Sequence, residues 1–97
     1  MAKYELNYEG YEQYLFDAHL SSGFIERMNY KFKFDNGWCA FVSTTNETRF
    51  RALWSLVPFK HDGERFKLCY DNPICTEAEI YLTDEDVRTL LEQFKEL

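Results

Sequence analysis

The side chains best suited to chemistry in this sequence are three cysteines and two histidines. Cysteine and histidine bind zinc when their spacing lets several ligands converge, but the spacing of the cysteines matches no zinc pattern, which favours buried thiols. His61 and Asp62 could form an acid–base pair, yet neighbouring turn residues point apart, and Asp-Gly is typical of a hairpin turn. No serine or cysteine has a recognisable nucleophile context, and no phosphate-binding glycine loop is present. The sequence therefore predicts a non-enzymatic protein without a metal or cofactor. The cysteines are Cys39, Cys69 and Cys75.

A cluster of acids near the C-terminus is the first candidate for binding another protein. Acidic side chains in the first turn of a helix are stabilised by the helix dipole, which needs no function. They can also present a negative patch to a basic protein surface, as nucleic acid would. Both interpretations are open. The cluster consists of Glu77, Glu79, Asp84, Glu85 and Asp86.

A basic and apolar sheet face is the second candidate. It is predicted to carry Lys31, Lys33 and Trp38 together with Ala40 and Val42. Such a face is either covered by an N-terminal helix or used on a partner. The covering helix would bring Glu9, Glu12 and Asp17 to the lysines, and Arg49 and Arg51 could extend the basic face.

A β-hairpin from Met28 to Thr44 must position that face. Asn36-Gly37 is the strongest short-range signal for a two-residue type I′ turn, because both central positions need positive φ. That turn would make one side of the hairpin aromatic and leave the other side basic. It would pair Phe34 with Cys39, Phe32 with Phe41 and Tyr30 with Ser43.

Other elements follow from periodicity. Residues 9–20 carry apolar side chains at helical spacing and are followed by Ser21-Ser22-Gly23, a helix stop signal. This pattern predicts an amphipathic helix with His19 on its polar side. Residues 44–57 fit either a capped helix or alternating strand residues, and a meander with strands over 49–59 and 64–70 explains more of the pattern. Residues 79–82 could add a short extended piece. Thr83 predicts the cap of a C-terminal helix that lies on the aromatic side of the sheet.

These elements predict one α+β domain over residues 1–97. Its antiparallel four-stranded meander sheet carries an N-terminal helix and a C-terminal helix packed on it. Residues 1–29 form the N-terminal helical piece, and residues 30–97 form the sheet and the C-terminal helix.

The net charge of −6 is unevenly distributed. Residues 27–67 hold eight bases against four acids, whereas the segments on either side are acidic. A basic middle between acidic ends argues against direct nucleic-acid binding, which normally needs a net basic face. The first ten residues do not resemble a signal peptide, and no apolar run could span a membrane. A cytoplasmic protein with reduced thiols is therefore expected.

Three runs, F-D-N-G-W-C-A-F-V, L-W-S-L-V and Y-D-N-P-I-C-T-E-A-E-I-Y-L-T-D-E-D-V, resemble a group of short phage and prophage proteins of unassigned function. The resemblance covers residues 30–97 in the same order and at similar spacing. It departs at Cys39 and Ile80, where the group has glycine, at Phe41, where it has serine, and in the extra residues 1–29. The shared residues form a turn, a strand, a proline break and a helix cap, so no functional residue is carried over. The resemblance implies origin in a mobile genetic element.

The expected function is therefore a phage-type, anti-CRISPR-like inhibitor. It would bind a host defence protein in the host cytoplasm, such as a nucleic-acid-guided nuclease complex, as a monomer or homodimer and without contacting nucleic acid or membrane. The alternative is a module that holds a small ligand between helix and sheet, or a phage accessory protein without an inhibitory role.

Overall fold

The structure is a computed structural model that describes residues 5–21, 27–44 and 53–97. Within these residues the chain forms one antiparallel sheet and one α-helix, so the α+β class is confirmed. The described residues form six strands of this sheet rather than the expected four. No helix in the described part is long and apolar enough to cross a membrane. The elements are a 3-10 turn at Glu12–Tyr14, β1 Leu15–Ser21, β2 Arg27–Lys33, β3 Trp38–Thr44, β4 Trp54–Asp62, β5 Arg65–Leu68, β6 Glu79–Leu82 and α1 Asp84–Lys95.

The sheet follows chain order from β1 to β5, and each strand pairs with the next in antiparallel fashion. β4 is long enough to pair with two strands along the same edge. Its second half pairs with β5, and its first half pairs with β6, which returns after the break at Asp71-Asn72-Pro73. The predicted strand over residues 49–59 is confirmed from Trp54 onward, and residues 49–52 lie outside the described residues.

The predicted N-terminal helix is wrong. Residues 15–21 form strand β1, which pairs with β2, and only Glu12–Tyr14 has a helical turn. Tyr11 and Tyr14, two residues of the predicted stripe, do pack against the core, but they do so from a segment that precedes the strand. Pairing with β2 supplies hydrogen bonds along the whole strand, so tertiary structure overrides a short helical period here.

The hairpin between β2 and β3 forms where it was predicted, with a different turn. The Phe34 amide donates to the Trp38 carbonyl at 2.9 Å, and the Gly37 amide donates to the Phe34 carbonyl at 3.1 Å. The loop therefore has three residues, and Gly37 occupies its left-handed position with φ of 87°. Phe32 pairs with Ala40 and Lys33 with Cys39, one residue away from the predicted register. Since side chains alternate, this shift exchanges the two sides of β3.

Helix α1 packs on one side of the sheet, which we call the covered face. Phe32, Trp54 and Leu56 from the sheet are fully buried against the helix and the N-terminal segment. The predicted cap is confirmed: Thr83 Oγ1 accepts from the Asp86 amide at 3.1 Å, and the Asp86 carboxylate accepts from the Thr83 amide. The buried helix residues are Val87, Leu91 and Phe94.

Asn36 joins the hairpin loop to the end of this helix. Its Nδ2 donates to the carbonyls of Phe94 at 2.8 Å and Leu97 at 2.9 Å, and its Oδ1 accepts from the Trp38 amide at 2.9 Å. Carbonyls at a helix C-terminus lack intrahelical donors, so one side chain satisfies the helix end and the loop together.

Candidate functional site

The side of the sheet opposite α1 carries the candidate site, and we call it the open face. Strand register and alternation decide which side chains lie there. The paired rows run from Asp17 through Lys31 and Phe41 to Val57, and from Lys33 through Cys39 and Phe59 to Leu68. Other members are His19, Arg27, Asn29, Ser43, Ser55, His61 and Phe66.

Four phenylalanines form a cluster on this face, the open-face cluster. Phe41 and Phe59 stack with ring centroids 4.0 Å apart and an interplanar angle of 16°. Phe16 and Phe66 stack at 5.0 Å and 7°. Phe66 also lies 5.8 Å from Phe41, which joins the two stacks. His61 packs on the edge of the cluster, 4.7 Å from the ring of Phe66.

Contact between Phe16 and Phe66 shows that the sheet is strongly curled. These residues lie on β1 and β5, the two ends of the five-strand path. Four inter-strand steps would separate those strands by about 19 Å in a flat sheet, too far for two phenylalanine rings to stack. The register shift between Leu15 and Asp17 marks a β-bulge at Phe16. A bulge bends its strand and redirects a side chain, and here it aims Phe16 across the concave open face.

The open-face cluster remains partly exposed to solvent. Phe16 is 44% exposed, Phe66 39% and the neighbouring Leu68 50%, whereas every described core residue of the covered face is at most 8% exposed. Beneath the cluster, Cys39 is fully buried, and this burial raises the pKa of its thiol to about 11. The Cys39 thiol therefore stays protonated at neutral pH and is a poor nucleophile.

A strip of basic residues on β2 borders the cluster. Alternation places Arg27, Asn29, Lys31 and Lys33 on the open face. The Lys31 ammonium lies 5.1 Å from the Phe41 ring centroid and 4.0 Å from an Asp17 carboxylate oxygen. Among the described residues of the open face, Asp17 is the only acid. The two predicted lysines thus lie on the same face, with Lys31 beside the ring of Phe41. Arg49 and Arg51 lie outside the described residues.

Trp38 does not belong to this site. It lies on the covered side of the sheet, is only 8% exposed, and has the Lys60 ammonium 4.4 Å from its ring. The prediction that it shares a face with Lys31 and Lys33 is wrong because of the one-residue register shift. Ala40 and Val42 are buried on the covered face for the same reason.

The acidic cluster is divided between structural and exposed positions. The Asp84 carboxylate accepts hydrogen bonds from the Trp54 indole N–H at 2.6 Å and from the backbone N–H of Asn7 at 3.1 Å. The Asp86 carboxylate completes the helix cap. Glu77 and Glu85 are exposed, and Glu79 is half-buried on β6. The contacts of Asp84 and Asp86 thus serve the fold, which leaves three carboxylates for an acidic patch.

Asp17 and His19 form a pair that sequence reasoning missed. Their Oδ2 and Nδ1 atoms are 2.7 Å apart, because residues two apart on a strand lie on the same side. A predicted helix would have separated them, so only a strand prediction could have found the pair. The Ser21 hydroxyl donates instead to the Arg27 carbonyl, so it is not activated by this histidine. No three histidine, cysteine or acidic groups among the described residues could hold a metal ion together.

Comparison with known proteins returned no match to a family, to a curated protein or to a solved structure.

Proposed function

We propose that this protein is a non-enzymatic, phage-type inhibitor that binds a host defence protein, such as a nucleic-acid-guided nuclease complex, and blocks it. The observation that supports this proposal is the open-face cluster, an aromatic surface with Phe16 44% and Phe66 39% exposed. Contiguous exposed apolar surface with a polar rim is typical of protein-binding sites.

The described N-terminal residues, 5–14, do not cover the open face. The sequence is compatible with an N-terminal helix that neutralises the basic side of the hairpin or with a free basic face. The described N-terminal residues instead pack with the core: Leu6 is buried there, and Tyr8 lies 5.6 Å from Tyr30 and 5.8 Å from Phe32. Residues 5–14 therefore pack on the covered face and not on the open face. This packing favours a role for the open face in binding a partner.

The small-ligand alternative has less support. A ligand between α1 and the sheet would need space there, but Phe32, Trp54, Leu91 and Phe94 fill that layer and are fully buried. Interiors packed in this way leave no room for a ligand without displacing side chains.

Protection of a phage or plasmid tests the proposal. The wild-type protein is co-expressed with a panel of defence systems, and transformation or plaque efficiency is measured. We expect the wild type to protect against one system and Phe66→Ser to lose most of that protection while remaining folded by circular dichroism. Leu97→Ser is the matched control, because Leu97 is 37% exposed but lies at the end of the helix side.

If the wild-type protein protects against none of the tested defence systems, the inhibitory role is contradicted. Equal loss with Leu97→Ser and Phe66→Ser would contradict the assignment to the open face.

A further inference from the structure

We infer that the open face takes an acidic protein segment in which carboxylates flank an apolar or aromatic side chain. This inference rests on the function proposed above and names the chemistry of the partner. It depends on the basic strip and the open-face cluster lying side by side on one concave surface.

Charge complementarity supports an acidic partner. Residues two apart on a strand are about 6.6 Å apart, so Lys31 and Lys33 offer two cations at a spacing that successive side chains of an extended segment can match. Lys31 already shares Asp17, whereas the ion pairs of the described residues include neither Arg27 nor Lys33. Arg27 and Lys33 are also exposed. Within the described residues, Arg27 and Lys33 thus have no carboxylate partner, which favours their use on the carboxylates of another protein.

The cluster supplies the apolar half of the site. Phe16 on β1 and Phe66 on β5 stack on each other across the concave surface. Both rings also lie near Phe41 on β3, which stacks on Phe59 of β4. An apolar side chain that contacts these rings removes their exposed area from water, and aromatic residues commonly supply the energetic centre of protein interfaces. The carboxylates of the partner would then contact the basic strip on β2, which borders the open-face cluster.

Ring geometry favours protein over single-stranded nucleic acid. Bases bind such surfaces by stacking on free ring faces. The four phenylalanines stack on each other in pairs at 7° and 16°, so one face of each ring is occupied.

Defined peptides test this inference directly. The probes are 12-residue peptides with a central Phe flanked by four Glu, the same peptide with Lys in place of Glu, and poly-U, and binding is followed by fluorescence anisotropy. We expect the acidic peptide to bind wild-type protein at least tenfold more tightly than the lysine peptide.

Charge-reversal variants locate the binding. Arg27→Glu combined with Lys33→Glu should weaken binding of the acidic peptide at least tenfold, and Arg27→Gln with Lys33→Gln should give a smaller loss. Lys67→Glu is the matched control and should change affinity less than twofold, because Lys67 pairs with Lys60 on the other side of the sheet. Thermal melts confirm that each variant is folded.

Several results would overturn the inference. These are equal binding of the two peptides, binding of poly-U alone, an equal effect of Lys67→Glu, or a homodimer in sedimentation whose formation Phe66→Ser abolishes. If the Arg27/Lys33 reversal leaves protection in cells intact, the inference fails and the inhibitory function stands. If the wild type binds the acidic peptide but protects against no defence system, the inhibitory function fails.

Discussion

Both faces of the sheet carry aromatic side chains, but those on the covered face are buried in the core and those on the open face are partly exposed. Phe32 on β2 and Phe41 on β3 are neighbours in the sheet but point to opposite sides. Phe32 is fully buried under the N-terminal segment and helix layer, whereas Phe41 is only partly buried in the open-face cluster. Aromatic residues make up 19% of the chain, and the described ones are found on both faces. The difference indicates that one set builds the fold and the second is available to a partner.

Charge separates the two sides in the same way. On the helix side, carboxylates of Asp84, Asp86 and Glu92 accept hydrogen bonds from within the protein. On the open face, Arg27 and Lys33 make no ion pair within the described residues. A charge with an internal partner stabilises the fold, and an exposed charge without one is available for recognition.

Truncation of one aromatic on each face should give the largest contrast. Phe32→Ala removes a fully buried ring and should lower the free energy of unfolding by ~3–5 kcal/mol, because it leaves a cavity in the core. Phe66→Ala removes a ring that is 39% exposed at the sheet edge and should cost only ~1–2 kcal/mol. Urea denaturation followed by tryptophan fluorescence measures both. Similar losses would show that the open-face cluster is a second core and not a free surface.

The acids of the C-terminal cluster should divide into two groups. Asp84→Ala leaves the indole N–H of Trp54 without its acceptor and should cost about 2–3 kcal/mol. Glu85→Ala, its exposed neighbour in the first turn, loses only the interaction with the helix dipole and should cost ~0.3–1 kcal/mol. Thermal denaturation at low salt compares the two. Equal losses of stability would mean that Asp84 stabilises the fold through the helix dipole alone and that the hydrogen bonds it accepts add nothing.

Local signals in the sequence were sufficient for part of this fold. Thr83 as the helix cap, a turn that includes Gly63 and the alternation of Trp54 and Leu56 each depend on residues close in sequence, and the structure confirms them. His61 and Asp62, which were expected in that turn, lie in β4 instead. The core side of α1 was also predictable, because its apolar stripe is regular.

The open face could not be predicted, because it depends on register and long-range contact. Asn36-Gly37 is compatible with a two-residue or a three-residue loop, and the choice moves Trp38 from one face to the other. The Phe16–Phe66 stack requires a bulge in a strand whose apolar spacing resembles a helix. Lys31 and Lys33 were placed correctly on one side together, since alternation along β2 does not depend on the loop.

Asn36→Ala should test whether the hairpin loop anchors the helix end. The substitution removes donors to the Phe94 and Leu97 carbonyls and the acceptor for the Trp38 amide, and we expect a loss of ~1–2 kcal/mol. Hydrogen exchange should rise in the last turn of α1 more than in β5. Uniform protection throughout the protein would show that packing of Phe94 alone holds that turn.

The smallest effect should be a change in acid sensitivity on the helix side. The Tyr11 hydroxyl donates to Glu92 Oε1 at 2.8 Å, and this hydrogen bond, helped by Lys95 at 3.0 Å, lowers the pKa of Glu92 below its ordinary value of 4.5. A lowered carboxyl pKa gives stability that is present above the unfolded value and is lost as pH falls through the folded one. Tyr11→Phe should therefore reduce the melting temperature more at pH 7 than at an acidic pH below the lowered pKa of Glu92, where its carboxylate is protonated. Tyr14→Phe is the control, because the Tyr14 ring packs on Phe34 at 4.9 Å and Glu92 does not depend on its hydroxyl. A difference between wild type and Tyr11→Phe that is the same at both pH values would mean that Tyr11 contributes through packing and not through the Glu92 carboxylate.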